Sequence, residues 1–363
     1  MTINKPLISI LCPCFNHEKY VEYFLDSILS QDYDNFEIVI VDDCSNDSTV
    51  EKIKKYNDKR INLICNKVNM GVNAALNIAF EYSKGEYLIF IASDDMIQQG
   101  YLTKVAETFS NSVETGVIYS SLTVIDENNN ISKQPDWVIL KERNKFEILS
   151  DLFYSWNALL SPGMAVKREI FQKIYPLDLS LVQHQDYFMH INILLETEPK
   201  ILTEPYILYR QALNHNSLSS RTIYAIAREK IEMLRLMNSF LKIDSLEILQ
   251  KILKNPEIEI NDENLIPYYI AVSALKSQNL QKREWGYLTL MNFISKKENF
   301  LLLNWKLGFN FAKYLGISKY LYDNSCERHM TKYKKYKKLF NIFLALFILF
   351  SVLLIWLITY VVF

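Results

Sequence analysis

Residues 8–49 have the sequence ISILCPCFNHEKYVEYFLDSILSQDYDNFEIVIVDDCSNDST. The apolar runs at 7–12 and 36–42 are short and rich in β-branched residues, which is typical of strands buried on both faces. Between these runs, apolar residues recur at positions 20, 21, 24, 25, 28 and 29, which is the stripe of an amphipathic helix. A strand, a helix and a second strand in this order predict a βαβ unit with parallel strands.

The same alternation continues beyond this unit. We expect helices at 48–56 and 72–82 and strands at 61–65 and 86–92. The first hundred residues are therefore predicted to form a doubly wound α/β half-domain. The pattern is mixed from residue 116 to about 210, with a helix at 184–196 and a closing strand at 200–210. After residue 219 it is helical only.

Two acidic clusters follow predicted strands, at the sheet edge where ligands of open α/β sheets bind. One is Asp42-Asp43, and the other is Ser93-Asp94-Asp95. Paired carboxylates in this position suit Mg²⁺ or Mn²⁺ bound to a diphosphate, because both ions prefer hard oxygen ligands. On spacing alone, helix capping explains the second cluster equally well. The sequence contains neither GxGxxG nor GxxxxGK(S/T), so both Gly-rich nucleotide-binding motifs are excluded.

The composition is that of a globular protein. Half of the 363 residues are apolar, which allows a sizeable core, and the net charge of −1 argues against nucleic acid as a partner. The five cysteines are odd in number and irregularly spaced, so they do not predict a disulfide framework. The apolar run before Pro13 is too short for the core of a signal peptide.

The C-terminal end has a different composition. Residues 339–363 contain no charged residue, and the segment before them carries Lys332, Lys334, Lys335, Lys337 and Lys338. About 20 apolar residues span a bilayer, and flanking lysines stay on the cytoplasmic side. We therefore expect a Lys-rich flank and a transmembrane or membrane-anchoring helix at 331–363, which would hold the chain at the cytoplasmic face of the cell membrane. The alternatives are a buried C-terminal helix in an oligomer and a helix lying in one leaflet.

Residues 8–49, together with NMGVNAALNIAFEYSKGEYLIFIASDD at 69–95, closely resemble the opening of family-two inverting glycosyltransferases with the GT-A fold. The downstream QD and LYR…NHNS segments extend the resemblance to about residues 6–218. It implies a Rossmann-like, mostly parallel sheet flanked by helices. We accordingly expect a catalytic domain at 1–218 and a helical C-terminal region at 219–330, which the resemblance does not cover.

The resemblance also implies roles for individual residues. Asp186 resembles the catalytic base, and Asp95 resembles the metal ligand of a DxD-type pair. Asp43 resembles the aspartate that pairs with the nucleotide base, for which uracil is expected. Nucleotide-sugar binding is implied for Pro13, Phe15, Asn16, Asp43, Asn69, Gly71, Asn77, Asp94, His215 and Ser217. Within this set, His215 and Ser217 resemble a loop that closes over the diphosphate.

These roles imply an inverting, metal-dependent hexosyltransferase. Asp186 would deprotonate an acceptor hydroxyl, which displaces the nucleotide diphosphate of a UDP-sugar donor, with Mn²⁺ or Mg²⁺ as cofactor. The expected acceptor is a saccharide or a lipid-linked saccharide, and the expected process is synthesis of a cell-surface polysaccharide or glycolipid. The partners are thus a nucleotide sugar, this acceptor and the membrane.

Three positions depart from the family pattern. Ala92, Leu76 and Gln185 stand where members often have Asp, Arg and Glu. They support the alternative function, a non-catalytic transferase-like scaffold that binds a partner glycosyltransferase at the membrane. A nucleotidyltransferase is a third possibility, although it should carry a Gly-rich basic loop where this chain has CPCFNHEKY.

Structural explanations remain open for the acidic residues. Asp42 and Asp43 could cap the helix that starts near Ser48, and Asp186 could be a charge favoured by a helix dipole. The spacing of His184 and His190 excludes a zinc pair, because a helix does not place residues six apart on one face.

Overall fold

The computed structural model describes residues 5–211, 222–254, 259–321 and 332–344. The chain divides into two compact units, Met1–Phe293 and Ile294–Phe363. The first unit contains the sheet together with the helices that follow it up to residue 293. The second contains the remaining helices.

The described residues form one eight-stranded sheet. Its strands are β1 (Ile8–Cys14), β2 (Phe36–Asp42), β3 (Ile61–Cys65), β4 (Tyr87–Phe90), β5 (Met96–Ile97), β6 (Thr115–Ile125), β7 (Met164–Lys167) and β8 (Glu198–Arg210). Their order across the sheet is β3-β2-β1-β4-β7-β6-β8-β5. The first four run parallel, as the alternating pattern predicts. The other half is mixed, because β7 is antiparallel to both its neighbours and β5 is antiparallel to β8, while β6 and β8 are parallel.

Seven helices accompany the sheet among the described residues, and six more follow it between residues 222 and 321, apart from the helical stretch at 332–344. The first set is α1 (Val21–Leu29), α2 (Thr49–Lys54), α3 (Val72–Tyr82), α4 (Tyr101–Asn111), α5 (Lys145–Tyr154), α6 (Arg168–Gln172) and α7 (Gln185–Glu196). The second set is α8 (Ile223–Leu236), α9 (Leu246–Ile252), α10 (Ile266–Ala274), α11 (Leu280–Ile294), α12 (Lys297–Leu307) and α13 (Phe311–Ile317). Single 3₁₀ turns lie at Asp136–Val138, Met237–Lys242, Glu263–Leu265 and Ser318–Leu321.

The core lies where the apolar stripes of α1 and α4 meet the sheet. In α1 the buried residues are Val21, Phe24, Leu25 and Ile28, which are the positions expected for a helix with one apolar face. They pack in one cluster with α4 and with the inner residues of β1 and β2. The strand registers then place the ends of β1, β2 and β4 at one edge, because Cys14 pairs with Asp42 and Leu11 pairs with Phe90.

The prediction of a C-terminal transmembrane helix is wrong for the part of the chain that the structure describes. No helix there is long and apolar enough to cross a membrane. Residues 332–344 are helical, but this stretch is short and carries all five flanking lysines, so it cannot supply about 20 apolar residues. Residues 345–363 lie outside the described ranges. The predicted placement at the cytoplasmic face of the cell membrane depended on this helix and is withdrawn with it.

Candidate active site

The loops after β1, β2 and β4 meet at the carboxyl edge of the sheet. The loop after β1 contacts both others: the backbone N–H of Asn16 donates to Ser45 Oγ at 2.8 Å, and His17 Nδ1 lies 2.8 Å from Ser93 Oγ. Asn16 adopts a left-handed conformation (φ 55°), which asparagine tolerates better than most residues. Its side chain accepts the N–H of Asn46 at 2.9 Å. The predicted loop residues Pro13, Phe15 and Asn16 therefore border the same edge as the acidic clusters, with Phe15 41% exposed.

Asp43 is buried, and its carboxylate organises the neighbouring loop. Its two oxygens accept the amide of Asn66 at 2.8 Å, the N–H of Met70 at 3.0 Å and the N–H of Gly71 at 2.7 Å. Gly71 has φ 86°, a conformation that a residue with a Cβ rarely adopts. This arrangement shapes the loop that carries the exposed Asn69 just before α3. Contact of Asp43 with a nucleotide base stays a prediction.

Helix capping does not explain the acidic clusters. The carboxylate of Asp43 is used by residues 66–71, and Asp42 accepts the N–H of Ser45 at 3.0 Å, so neither caps α2. Helix α4, which follows the second cluster, begins after Gly100 without a side-chain cap. Asp94 and Asp95 therefore lie at the strand end for a reason other than starting a helix.

Asp94 and Asp95 differ in environment. Asp95 is 3% exposed, and its Oδ1 accepts the backbone N–H of Arg210 at 2.8 Å. Burial, reinforced by the adjacent Asp94 carboxylate, raises the pKa of Asp95 well above its usual range. The side chain of Asp94 is 31% exposed, and its Oδ2 lies 3.8 Å from His17 Nε2. The pair thus presents one half-buried and one buried carboxylate to the same edge.

Arg210, the last residue of β8, holds this pair in place through hydrogen bonds to its backbone and to one carboxylate oxygen. Its guanidinium donates to the carbonyl oxygens of Asp94 at 2.8 Å and Asp126 at 2.7 Å and to Asn129 Oδ1 at 2.6 Å. It also lies 4.4 Å from the centre of the Tyr20 ring. Sequence analysis noted the LYR segment but gave its arginine no role. The available signal was an arginine at the end of an otherwise apolar strand, where a buried charge needs partners.

The Asp94-Asp95 pair fits a divalent cation held jointly with substrate phosphates. The guanidinium next to it donates its hydrogen bonds to carbonyl and amide oxygens, so these bonds do not occupy the carboxylate oxygens of the pair. Within the described ranges there is no group of three or more His, Cys, Asp or Glu residues that could hold a metal. A site of one or two carboxylates completed by phosphate oxygens is the usual arrangement for Mg²⁺.

Asp186 lies in the first turn of α7, where the sequence predicts a helix start. Its Oδ2 accepts the side-chain amide of Asn157 at 3.1 Å. Asn157 Oδ1 in turn lies 3.0 Å from Nδ1 of His190, whose Nε2 is 3.2 Å from Ser161 Oγ. Burial lowers the pKa of His190 to about 4, so this ring is neutral at physiological pH. The order of donors and acceptors assigns the proton to Nδ1, which orients Asn157 toward Asp186.

The phenol of Tyr209 is influenced by the Asp94-Asp95 pair and by Asp186. Its ring lies on β8 next to Arg210, and burial together with the carboxylates of Asp95, Asp94 and Asp186 raises the pKa of its hydroxyl to about 12. All three carboxylates thus contribute to the electrostatic environment of this one phenol.

A cleft of about 430 Å³ opens beside this site. Its lining includes Trp137, Leu140, Lys141, Asn157 and Leu160. Trp137 makes an edge-to-face contact with Tyr209, with ring centres 6.2 Å apart, and Asn157 is the residue that binds Asp186. The lining of the cleft thus includes one residue that hydrogen-bonds to Asp186 and one that contacts the ring of Tyr209.

The remaining predicted residues are placed differently. Asn77 uses both ends of its amide to hold the backbone of Leu177, at 3.0 and 2.8 Å, so its contact with a donor stays a prediction. His215 and Ser217 lie outside the described residues. Of the departures from the family pattern, Leu76 is 4% exposed in the core and Gln185 is half-buried beside the base. Sequence analysis gave no role to His17, Asn157, His190 or Arg210, whose contacts join distant segments.

The sheet topology, with an Asp-Asp pair after β4 and a third carboxylate in the first turn of α7, agrees with the GT-A fold that the sequence predicts. Residues 9–175 match the family model described as Glycosyl transferase family 2. A glycosyltransferase of Methanocaldococcus jannaschii is 30% identical over 223 residues, which cover 60% of this chain and 75% of that relative. The chain belongs to glycosyl transferase family 2 and is a glycosyltransferase.

Two further comparisons describe its relatives. The Escherichia coli enzyme named UDP-Glc:alpha-D-GlcNAc-diphosphoundecaprenol beta-1,3-glucosyltransferase WfgD is 24% identical over 227 residues, covering 61% of this chain and 83% of WfgD. The crystal structure of S. aureus TarS 1-349 in complex with UDP-GlcNAc superposes with a TM-score of 0.56 at 18% identity, covering 84% of this chain and 93% of TarS. The TarS comparison shows a shared fold.

Proposed function

We propose that this glycosyltransferase moves a sugar from a UDP-sugar to a saccharide acceptor with inversion, in a direct displacement that depends on Mn²⁺ or Mg²⁺. The observation that carries the proposal is the Asp94-Asp95 pair, held by Arg210 at the carboxyl edge of the sheet, together with Asp186, which is hydrogen-bonded to Asn157 in the lining of the cleft. Two carboxylates suit the diphosphate of a donor, and the third suits the proton of an acceptor. The names of WfgD and of the TarS complex support a UDP-linked donor.

The donor side consists of the loops after β1, β2 and β4. Asp94 and Asp95 would hold the cation, and a bound Mn²⁺ or Mg²⁺ supplies positive charge against the charge that develops on the leaving diphosphate. Arg210 fixes the backbone of Asp94 and the carboxylate of Asp95, so the Asp95 carboxylate is oriented before the donor arrives. Asp43 and Gly71 set the loop on which the base of the nucleotide would lie.

Asp186 acts as the general base. Its carboxylate takes the proton of the acceptor hydroxyl while the hydroxyl oxygen bonds to the anomeric carbon, opposite the leaving group. The bond from this carbon to the diphosphate breaks, and its electron pair departs with the diphosphate. Asn157, oriented by the neutral His190, holds one oxygen of Asp186 in place. No covalent sugar–enzyme intermediate is required.

The acceptor would enter through the cleft at Trp137 and Asn157. Aromatic rings such as the half-exposed Trp137 provide flat apolar faces for the C–H face of a sugar ring. WfgD acts by its name on a diphosphoundecaprenol-linked sugar, and another relative is named as a putative teichuronic acid biosynthesis glycosyltransferase from Bacillus subtilis. These names support a role in making a cell-surface polysaccharide.

A donor screen tests the proposal. The purified chain is incubated with individual nucleotide sugars and Mn²⁺ or Mg²⁺, and release of the nucleoside diphosphate is measured with and without EDTA. We expect release from at least one UDP-sugar, lost in EDTA and reduced about 100-fold or more in Asp95→Asn, since a lost metal ligand removes several kcal/mol of leaving-group stabilisation. Glu107→Gln, which removes an exposed carboxylate from α4, is the matched control and should match the wild type. Release from no nucleotide sugar contradicts the proposed function, and full activity in EDTA contradicts its metal dependence.

A further inference from the structure

Lys282, on α11, is completely buried and has no ion-pair partner within the described part of the chain. Its ammonium donates instead to three neutral oxygens: the carbonyls of Leu152 and Ser155, each at 2.6 Å, and the hydroxyl of Tyr187 at 2.8 Å. Burial lowers the pKa of Lys282 to about 7. A buried ammonium is costly, so a lysine in this position is expected to serve a purpose that an apolar residue could not.

The three acceptors of Lys282 belong to the two segments that present the base. Ser155 lies two residues before Asn157, and Tyr187 directly follows Asp186 in α7. Asn157 and Asp186 are themselves joined by the 3.1 Å hydrogen bond. Lys282 therefore ties the end of α5 to the start of α7 immediately behind this pair. The Tyr187 hydroxyl also donates to the Leu152 carbonyl, which closes the same connection.

A second buried acidic or basic residue, on a different helix of the same region, holds the start of α7. Glu232, on α8, is 6% exposed, and its Oε2 accepts the backbone N–H groups of Gln183 at 2.8 Å and His184 at 2.9 Å. These residues lie immediately before the first turn that contains Asp186. A carboxylate at the N-terminus of a helix is also favoured by the helix dipole. Glu232 thus fixes the backbone at the point from which Asp186 projects.

The middle of α7 is held by the same helical region. Asn192 donates to Ser239 Oγ at 2.9 Å and accepts from Lys242 at 2.7 Å. With Glu232 and Lys282, these contacts attach α7 to residues 222–293 along most of its length. Those residues belong to the same compact unit as the sheet.

We propose that Lys282 and Glu232 are positioning residues, through which the helical region at 222–293 sets the place of Asp186 relative to Asn157 and the donor. The proposal rests on the proposed function for the role of Asp186. Neither residue touches the substrate. Their effect is geometric, since a displacement of about 1 Å at a reacting group can cost about 100-fold in rate.

The test compares Lys282→Met, Glu232→Ala and Glu232→Gln with Lys230→Met, which removes an exposed lysine from α8. Turnover and UDP affinity are measured at a temperature well below the unfolding transition of every variant. The Tm of each variant is measured separately. We expect Lys282→Met and Glu232→Ala to lower kcat by about 10- to 100-fold with UDP affinity within about twofold of wild type. Glu232→Gln keeps an oxygen that can accept the two N–H groups, so it should recover most of the turnover. Two independent sites keep the test decisive if one variant does not fold.

Three outcomes overturn the proposal: wild-type kcat in both disruptive variants, a parallel loss of UDP affinity and kcat, or no recovery in Glu232→Gln. Hydrogen exchange at residues 183–190 separates this proposal from the proposed function. If the wild type releases no nucleotide from any donor, the proposed function fails. Even in that case, faster hydrogen exchange at 183–190 in Lys282→Met and Glu232→Ala, but not in Lys230→Met, supports the attachment of α7 by these residues. Unchanged hydrogen exchange in both variants refutes that attachment.

Discussion

Replacing Lys282 with methionine should remove a pH dependence from the stability of the protein. Methionine has a similar length and leaves no amine to titrate. In the folded protein, burial lowers the pKa of Lys282 from 10.5 to about 7. In the unfolded chain the amine returns to water and to its ordinary pKa. The two states therefore bind different numbers of protons between pH 7 and pH 10.5.

The sign of the effect follows from which state binds more protons. Between the two pKa values the unfolded chain keeps its proton and the folded protein has lost it, so the free energy of unfolding rises with pH. Below pH 7 both states are protonated and this contribution is flat. Where the two states differ by one full proton, the free energy of unfolding rises by about 1.4 kcal/mol per pH unit. Near pH 7 the folded amine is still half-protonated and the slope is smaller, so the free energy of unfolding rises by about 2 kcal/mol between pH 7 and pH 9.

Urea unfolding followed by tryptophan fluorescence at several pH values between 6 and 9 measures the effect. Other groups titrate in this range, so the informative quantity is the difference between wild type and Lys282→Met at each pH. We expect this difference to be constant below pH 7 and to shift by about 2 kcal/mol in favour of wild type by pH 9. Lys230→Met, at an exposed position, should run parallel to wild type throughout. Parallel curves for Lys282→Met would refute the reasoning, because they would mean that its three oxygen partners keep the amine charged.

Three further predictions concern the site and its support. In Arg210→Lys, the shorter single ammonium cannot reach all three acceptors of the guanidinium, so the carbonyls of Asp94 and Asp126 lose hydrogen bonds. We expect the free energy of unfolding, measured by chemical denaturation, to fall by about 2–4 kcal/mol. Gly163 has φ 75°, and a Cβ added there would lie 2.3 Å from Ile207 Cδ1. Gly163→Ala should therefore lower the free energy of unfolding by about 2 kcal/mol or more in the same assay, and wild-type stability would contradict this. Asn157→Ala should lower kcat about 10-fold with UDP affinity unchanged, and a wild-type kcat would show that Asp186 needs no such partner.

Local patterns in the sequence predict most of the sheet and the helices beside it. Strands β1, β2 and β4 are continuous apolar runs, and α1 has an apolar stripe, so each element carries its own signal. The edge at which Asp43, Asp94 and Asp95 gather follows from parallel strand order alone. The mixed half of the sheet was less predictable, because the antiparallel pairing of β7 with β4 depends on a chain reversal that has no local pattern.

The supporting residues of the site could not be predicted, because their partners are distant in sequence. Lys282 and Leu152 are 130 residues apart, and Arg210 and Asp94 are 116 apart. A buried lysine in a helix looks like any surface lysine until its neighbours are known. At the C-terminal apolar run, by contrast, sequence composition predicts a membrane-spanning helix that the described residues do not contain.

The measurement that tests the account most directly is the turnover of Asp186→Asn, together with its UDP affinity and Tm. The substitution keeps the size of the side chain and removes the charge that accepts the proton. We predict a fall in turnover of about 10² to 10⁴ with UDP affinity near wild type, because the proposed donor site is formed by the loops after β1, β2 and β4 and does not include Asp186. Glu196→Gln, at the other end of α7, is the control and should turn over normally. A carboxylate that only stabilises the helix dipole would instead cost about 0.3–1 kcal/mol of stability at unchanged turnover, and wild-type turnover in Asp186→Asn would contradict the assignment of the base.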